Sequence, residues 1–315
     1  MEQRKLIRLG NSSFAIALPK DWVDKSGLKK GDDIFVERNS NGEIIISPEF
    51  KKINEGKGET INLEGKEEKE IARDIISAYV GGYGNINVNG NKDKLKIAKK
   101  IAKQFLNLEL IDESEKKAIF KDLLDVQSVN IANFIRRMDN NIKDMFSVLN
   151  SINIDDRQLK KRIEELNEID KDITKFYFLI WRLMNMGIDN PSIQTNLKIN
   201  SKSFVTFFWL SYNIEQTGDE LKRIGRRLAT IKGNKDYFKQ VLNSIKENYD
   251  NSMKAFFEKN KNYAKEVIFK KDETAKMCEK LANIKGFEVI TEKLHQINAN
   301  IHNNSKMIFY ELKNL

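Results

Sequence analysis

Near residue 120 the spacing of apolar residues passes from short strand and helix patterns to a long-lived helical period. In the opening segment, "RKLIRLG" (4–10) sets Leu6 and Leu9 among Arg4, Lys5 and Arg8 and reads as a strand. "SFAIALP" (13–19) reads as a second strand, running up to Pro19. Proline suits the first turn of a helix because its missing N–H needs no partner there. "PKDWVDKSG" (19–27) is therefore predicted as a short helix, with Trp22 and Val23 as its apolar face and Gly27 as its stop. "DIFVERN" (33–39) and "EIIISP" (43–48) are strands joined through "NSNG", where Asn41 and Gly42 tolerate positive φ.

A polar linker, "EFKKINEGKGE" (49–59), separates this unit from a second one. There, "TINLEG" (60–65) and "NINVNG" (85–90) are predicted strands, and "KEEKEIARDIISAYVGGYG" (66–84) is an amphipathic helix with a glycine-rich exit. "NKDKLKIAKKIAKQF" (91–105) is a second helix, with Leu95, Ile97, Ile101 and Phe105 among its apolar positions. "LELIDES" (108–114) and "KAIFKDL" (117–123) close the segment as a hairpin. "VGGYGN" (80–85) follows a helix and precedes a strand, the reverse of the order a phosphate-cradling loop needs, so it is read as a helix stop and turn.

From about 120 onward six helices are expected, near 120–150, 156–187, 196–231, 235–258, 260–284 and 287–313, with Pro191 in a turn between the second and third. They fall into two sets of three. Met138, Ile142 and Leu149 in the first helix match Ile245, Tyr249 and Phe256 in the fourth, which is the mark of a duplicated three-helix bundle. The predicted fold class is multidomain α+β: a head over 1–50, an α+β connector over 56–118, and a bundle over 119–315 with repeats at about 119–232 and 235–315.

Composition narrows the class. The 315 residues are 40% hydrophobic and 32% charged, and their apolar runs, such as "FYFLIW" (176–181), are too short to span a bilayer. The N-terminus lacks the apolar core of a secretory signal, and a lone Cys278 offers neither a disulfide nor a cysteine metal cluster. A cytoplasmic protein without membrane insertion is expected. The net charge of +9 suits an anionic partner, yet residues 1–50 carry 8 Lys/Arg against 8 Asp/Glu, so the excess lies elsewhere. No Ser/His/Asp arrangement, nucleotide loop or Cys–His pair marks an enzyme.

The order "LPKDW", "SGLKKGD", "GEIIISP" resembles the AbrB/MazE/SpoVT swapped-hairpin family over roughly residues 3–50. That resemblance implies two chains interleaving their hairpins into one β-barrel, and a lone unit of this size is too small to be stable by itself. It also implies DNA contacts near the first strand and its loop. By position these are Arg4, Lys5 and Arg8, with Asn11, Ser12 and Ser13 as polar neighbours for phosphates. The same module can serve for dimerisation alone.

The duplicated bundle, with "NEIDKDITKFYFLIWRLMN" (167–185) and "IEQTGDELKRIGRRLA" (214–229), resembles the PhoU family over about 120–313. The resemblance implies control of phosphate uptake, a transporter or signalling protein as partner, and iron or zinc held by paired acids four residues apart. Here Glu215 and Asp219 keep such a pair, and Asp170 is followed by Thr174 where a second acid is expected. In the second repeat Asp272 is followed by Lys276, and Asn300 and Asn304 are neutral. The expectation is no cluster in the second repeat and, at most, one weakly held divalent or ferric ion near Asp170, Glu215 and Asp219. Ion pairs with Lys222, Arg223, Arg226 and Arg227 can balance those acids without a metal. The reading reached is a homodimeric DNA-binding regulator of phosphate uptake or homeostasis. The alternatives are a non-DNA-binding adaptor for a transporter or sensor kinase, and a metal-binding bundle protein.

Overall fold

The structure, a computed structural model, describes residues 2–38, 42–49, 58–152, 158–188, 190–231 and 235–311. It opens with two antiparallel hairpins that do not pair with each other: β1 (Leu6–Leu9) with β2 (Ser13–Ile16), and β3 (Phe35–Arg38) with β4 (Ile44–Ser47). Between them lies α1 (Lys20–Lys25), whose first turn is closed by Val23 N donating to Pro19 O at 3.1 Å. Gly27, at φ +68°, ends that helix. The expected turn at Asn39–Asn41 lies outside the described residues, as does most of the linker after Glu49.

The second unit is a four-stranded sheet in the order β5-β6-β8-β7, from β5 (Gly58–Asn62), β6 (Asn85–Asn89), β7 (Leu108–Glu113) and β8 (Lys117–Asp122). β5 and β6 run parallel because α2 (Glu68–Val80) crosses between them, and the other pairings are antiparallel. α2 starts in a capping box between Glu67 and Glu70, and α3 (Lys92–Ala102) on Asn91, whose side chain accepts from Lys94 N. Ile61, Ile86, Val88, Ala118 and Phe120 of the sheet share one core with Ile71, Ile75, Leu95 and Ile101 of the helices. The glycine-rich exit is the turn expected. Gly82 has φ +85°, and a Cβ there would meet Met186 at 2.8 Å.

The bundle differs from expectation at two places. Its first helix, α4 (Ile131–Ser151), starts later than 120 because 117–122 is strand β8 and Val126–Ser128 is a 3-10 turn. The turn at Pro191 is itself a helix, α6 (Pro191–Leu197), with Asn190 as cap and the proline in its first turn. The other helices are α5 (Leu159–Gly187), α7 (Ser201–Leu228), α8 (Asp236–Phe257), α9 (Lys261–Ala282) and α10 (Glu288–Glu311). α4, α5 and α7 pack on one another, as do α8, α9 and α10, and the two trios meet along α7–α10 and α4–α8. The six matched positions, Met138, Ile142 and Leu149 with Ile245, Tyr249 and Phe256, are all buried in one core.

α5 joins the sheet unit to the bundle. Phe178 and Trp181 pack against both cores. Arg182, fully buried, pairs with Asp122 of β8 at 2.7 Å and donates to the carbonyls of Tyr79 and Tyr83. Asn185 adds a bond to Val80 O at 2.9 Å.

Candidate nucleic-acid interface

All six candidate DNA-contacting residues fall on the first hairpin, and all are exposed. Arg4 and Lys5 lead into β1, Arg8 lies within it, Asn11 and Ser12 form the turn and Ser13 opens β2. The register sets Leu6 opposite Ile16 and Arg8 opposite Phe14, so successive side chains on β1 alternate between faces. Arg8 Nε donates to Gly10 O at 3.2 Å, which holds its guanidinium beside the turn, and Arg4 pairs with Glu2. Glu2 is the only acid before Asp21, so residues 2–20 hold four bases, Lys20 included, against one acid although residues 1–50 balance. The charge is segregated rather than absent.

The apolar residues of the head are half-buried at best, Trp22, Val23 and Leu28 among them. Among the described residues up to Glu49 none is buried, and Leu6 (68% exposed), Phe14 (63%), Val36 (60%) and Ile44 (68%) face solvent. Exposed apolar side chains this dense on so short a segment mark an interaction surface. The head's contact with the rest runs through α6: Ser192 Oγ donates to Glu37 Oε1 at 2.6 Å, and Thr195 Oγ1 to Arg38 O at 3.2 Å. Sequence reasoning missed this tether because it took Pro191 for a turn; Asn190 followed by proline was the available helix-start signal.

The acidic candidates of the bundle gather around an ammonium. Lys222 Nζ lies 2.5 Å from Asp170 Oδ2 and 2.6 Å from Asp219 Oδ1, and Arg223 donates to Asp219 Oδ2 at 2.9 Å. Burial alone would lower the Lys222 ammonium, but its hydrogen bonds to Asp170 and Asp219 raise it above the ordinary lysine value. Burial pushes Asp170 up against the pull of Lys222. Glu215, bonded by Gln216 Nε2 at 2.9 Å, is pushed up to about 7 by burial and then by Asp219 and Asp170. A divalent or ferric ion between Asp170 and Asp219 would have to displace Lys222. This donor set does not fit the iron or zinc cluster that the PhoU resemblance implies, and among the described residues no group of three His, Cys, Asp or Glu is placed to hold a metal.

In the second repeat the matching places on α10 are amides: Asn304 Oδ1 accepts from Asn213 Nδ2 of α7 at 2.8 Å, and Asn300 Oδ1 from Gln296 Nε2 at 3.0 Å. A polar group that sequence reasoning missed sits between α4 and α8. Lys143 bonds Asp139 at 2.8 Å, Lys246 bonds Asp250 at 2.8 Å, and Asp250 lies 4.0 Å from Lys143. Position 139 corresponds to 246 and position 143 to 250 at the offset that relates Met138 to Ile245, so each repeat carries the pair with reversed sign.

Residues 7–54 match the family described as antidote-toxin recognition MazE, bacterial antitoxin. No curated protein and no solved structure matches the chain. No helix among the described residues is long and apolar enough to cross a membrane.

Proposed function

We propose that the protein is a DNA-binding transcriptional regulator that acts as a homodimer in the cytoplasm and is not an enzyme. Its head, residues 1–50, binds DNA after pairing with a second copy. The sheet unit connects the head along the chain to a PhoU-like bundle, which the head also meets directly through α6, and the bundle serves genes of phosphate uptake or homeostasis. The observation that carries the reading is the head itself: two detached hairpins without a buried residue, matching a MazE-type segment, with bases concentrated on the first hairpin. Arg4, Lys5 and Arg8 would hold backbone phosphates, and Asn11, Ser12 and Ser13 would add neutral hydrogen bonds. The internal duplication of the bundle supports its likeness to PhoU.

Arg4→Ala together with Arg8→Ala removes four cations per dimer and should weaken binding to all DNA sequences and shrink the salt slope by about 4. Sequencing the genomic DNA that co-purifies with the full chain supplies the target, and titration at several salt concentrations supplies the slope. Unchanged affinity and slope would remove these residues from the interface. The balanced charge of residues 1–50 favours one competing reading, an adaptor whose head only dimerises. That reading expects no specific DNA to be retained at all.

A further inference from the structure

At the end of α7 the bundle opens a cavity of about 400 Å³ lined by Arg223, Arg226, Arg227, Thr230 and Lys293. Three arginines at this spacing stand on one helix face, and the lysine reaches in from α10. Cations at a helix C-terminus ordinarily offset its dipole. That accounts for Arg226 and Arg227 in the last turn of α7 but not for Lys293, which belongs to a different helix.

The carboxylates that meet these cations are few. Glu220 is shared by Arg223 at one oxygen and Lys293 at the other, 2.9 Å away. Asp219 bonds Arg223 but is already shared with Lys222. Among the described residues no carboxylate pairs with Arg226 or Arg227; Arg226 instead donates to the neutral Asn167 Oδ1 on α5 at 2.6 Å. Four cations thus have two paired acids among them, Asp170 acts on Arg226 at longer range while paired with Lys222, and the helix end offsets only about half a charge more. Guanidinium forks present paired donors that match the oxygens of phosphate.

We propose that this cavity binds a polyvalent oxyanion, the phosphate or polyphosphate group of a small molecule. The volume lies at the lower end of small-ligand sites, which suits a compact anion rather than an extended chain. The excess positive charge supplies affinity, Asn167 orients Arg226, and Lys293 closes the cleft from α10. Glu220 would give up part of its hold on Arg223 and Lys293 as the anion enters. This site is independent of whether the head binds DNA.

The test is calorimetric titration of the full chain with inorganic phosphate, pyrophosphate and ATP, each at matched ionic strength against chloride. Saturable binding of at least one is expected, and the arm that binds tightest tells free phosphate from a polyphosphate or nucleotide source. Arg226→Ala with Arg227→Ala should weaken it about tenfold or more. These two side chains are exposed and have no carboxylate partner, so the variant should keep its helix content, with a melting temperature lowered by only a few degrees for the lost dipole and Asn167 contacts. Lys293→Met, read in parallel, should also weaken binding if α10 contributes. Absence of saturable binding by the unaltered chain to all three anions would overturn the proposal. So would binding that the double variant leaves unchanged, or an effect of that variant on DNA retention without any on small anions.

Discussion

At the scale of single residues, Glu215 shows how burial converts an ordinary charge into a sensitive one. Glu215 titrates ordinarily near 4.5 and is pushed up to about 7 in the folded chain. Between those values the folded protein holds a proton that the unfolded chain releases, so stability falls as pH rises through this window. Below it the effect vanishes, and above it the full cost is present. Glu215→Gln keeps an acceptor for Gln216 but removes the charge beside Asp219. Urea unfolding should show it stabilised at pH 8 by on the order of 1–2 kcal/mol, discounting its partial exposure, and unchanged at pH 4. A loss at pH 8 would mean that the Glu215 charge is needed. Arg182 is the opposite case, a permanent charge fully buried against Asp122. Arg182→Leu strands that carboxylate and should cost about 3–5 kcal/mol, whereas adding Asp122→Leu should recover much of the loss. A double variant as unstable as the single one would place the cost on the Tyr79 and Tyr83 carbonyls instead.

At the scale of elements, legibility followed local pattern. The two head hairpins, α1, α2 and α3 were readable because alternation, capping residues and Gly27 or Gly82 punctuate them within a few positions. The hairpin of "LELIDES" and "KAIFKDL" was read correctly as β7 and β8, but the helical period was extended back to about 120, over the end of that strand, because Leu123, Leu124 and Val126 also suit a helix. α6 was hidden in a turn although Asn190 and Pro191 spell a helix start. Of the candidate sites, the hairpin bases and the Glu215–Asp219 pair were legible as residue types. That Lys222 can balance these acids was legible too, but its bridge from Asp219 to Asp170 was not, since Lys222 and Asp170 are 52 positions apart. The reversed pairs Asp139–Lys143 and Lys246–Asp250 were in principle readable once the repeat offset was known, since each joins residues four apart on one helix.

At the scale of the whole molecule, the chain combines two parts that close their own cores with one that does not. The sheet unit and the bundle bury their apolar faces and are locked together by Arg182. The head exposes its large apolar residues and meets the bundle through α6. In a lone chain, changing an exposed side chain such as Leu6 or Val36 to aspartate is close to neutral, since surface changes away from special features shift stability by about 0.5 kcal/mol or less. In a barrel completed by a second copy the same change puts an unpaired charge into a core, which is among the costliest substitutions known. Leu6→Asp with Val36→Asp therefore separates the two states. Analytical ultracentrifugation should find the unaltered chain dimeric and the double variant monomeric at micromolar concentration. Circular dichroism should stay nearly unchanged, because the helices lie mostly in the two closed cores. Retention of DNA should fall together with dimerisation, since each hairpin needs its partner's to present both sets of bases. A double variant that remains dimeric would move the dimer contact to the bundle or the sheet, and the head's exposed face would then need another cover.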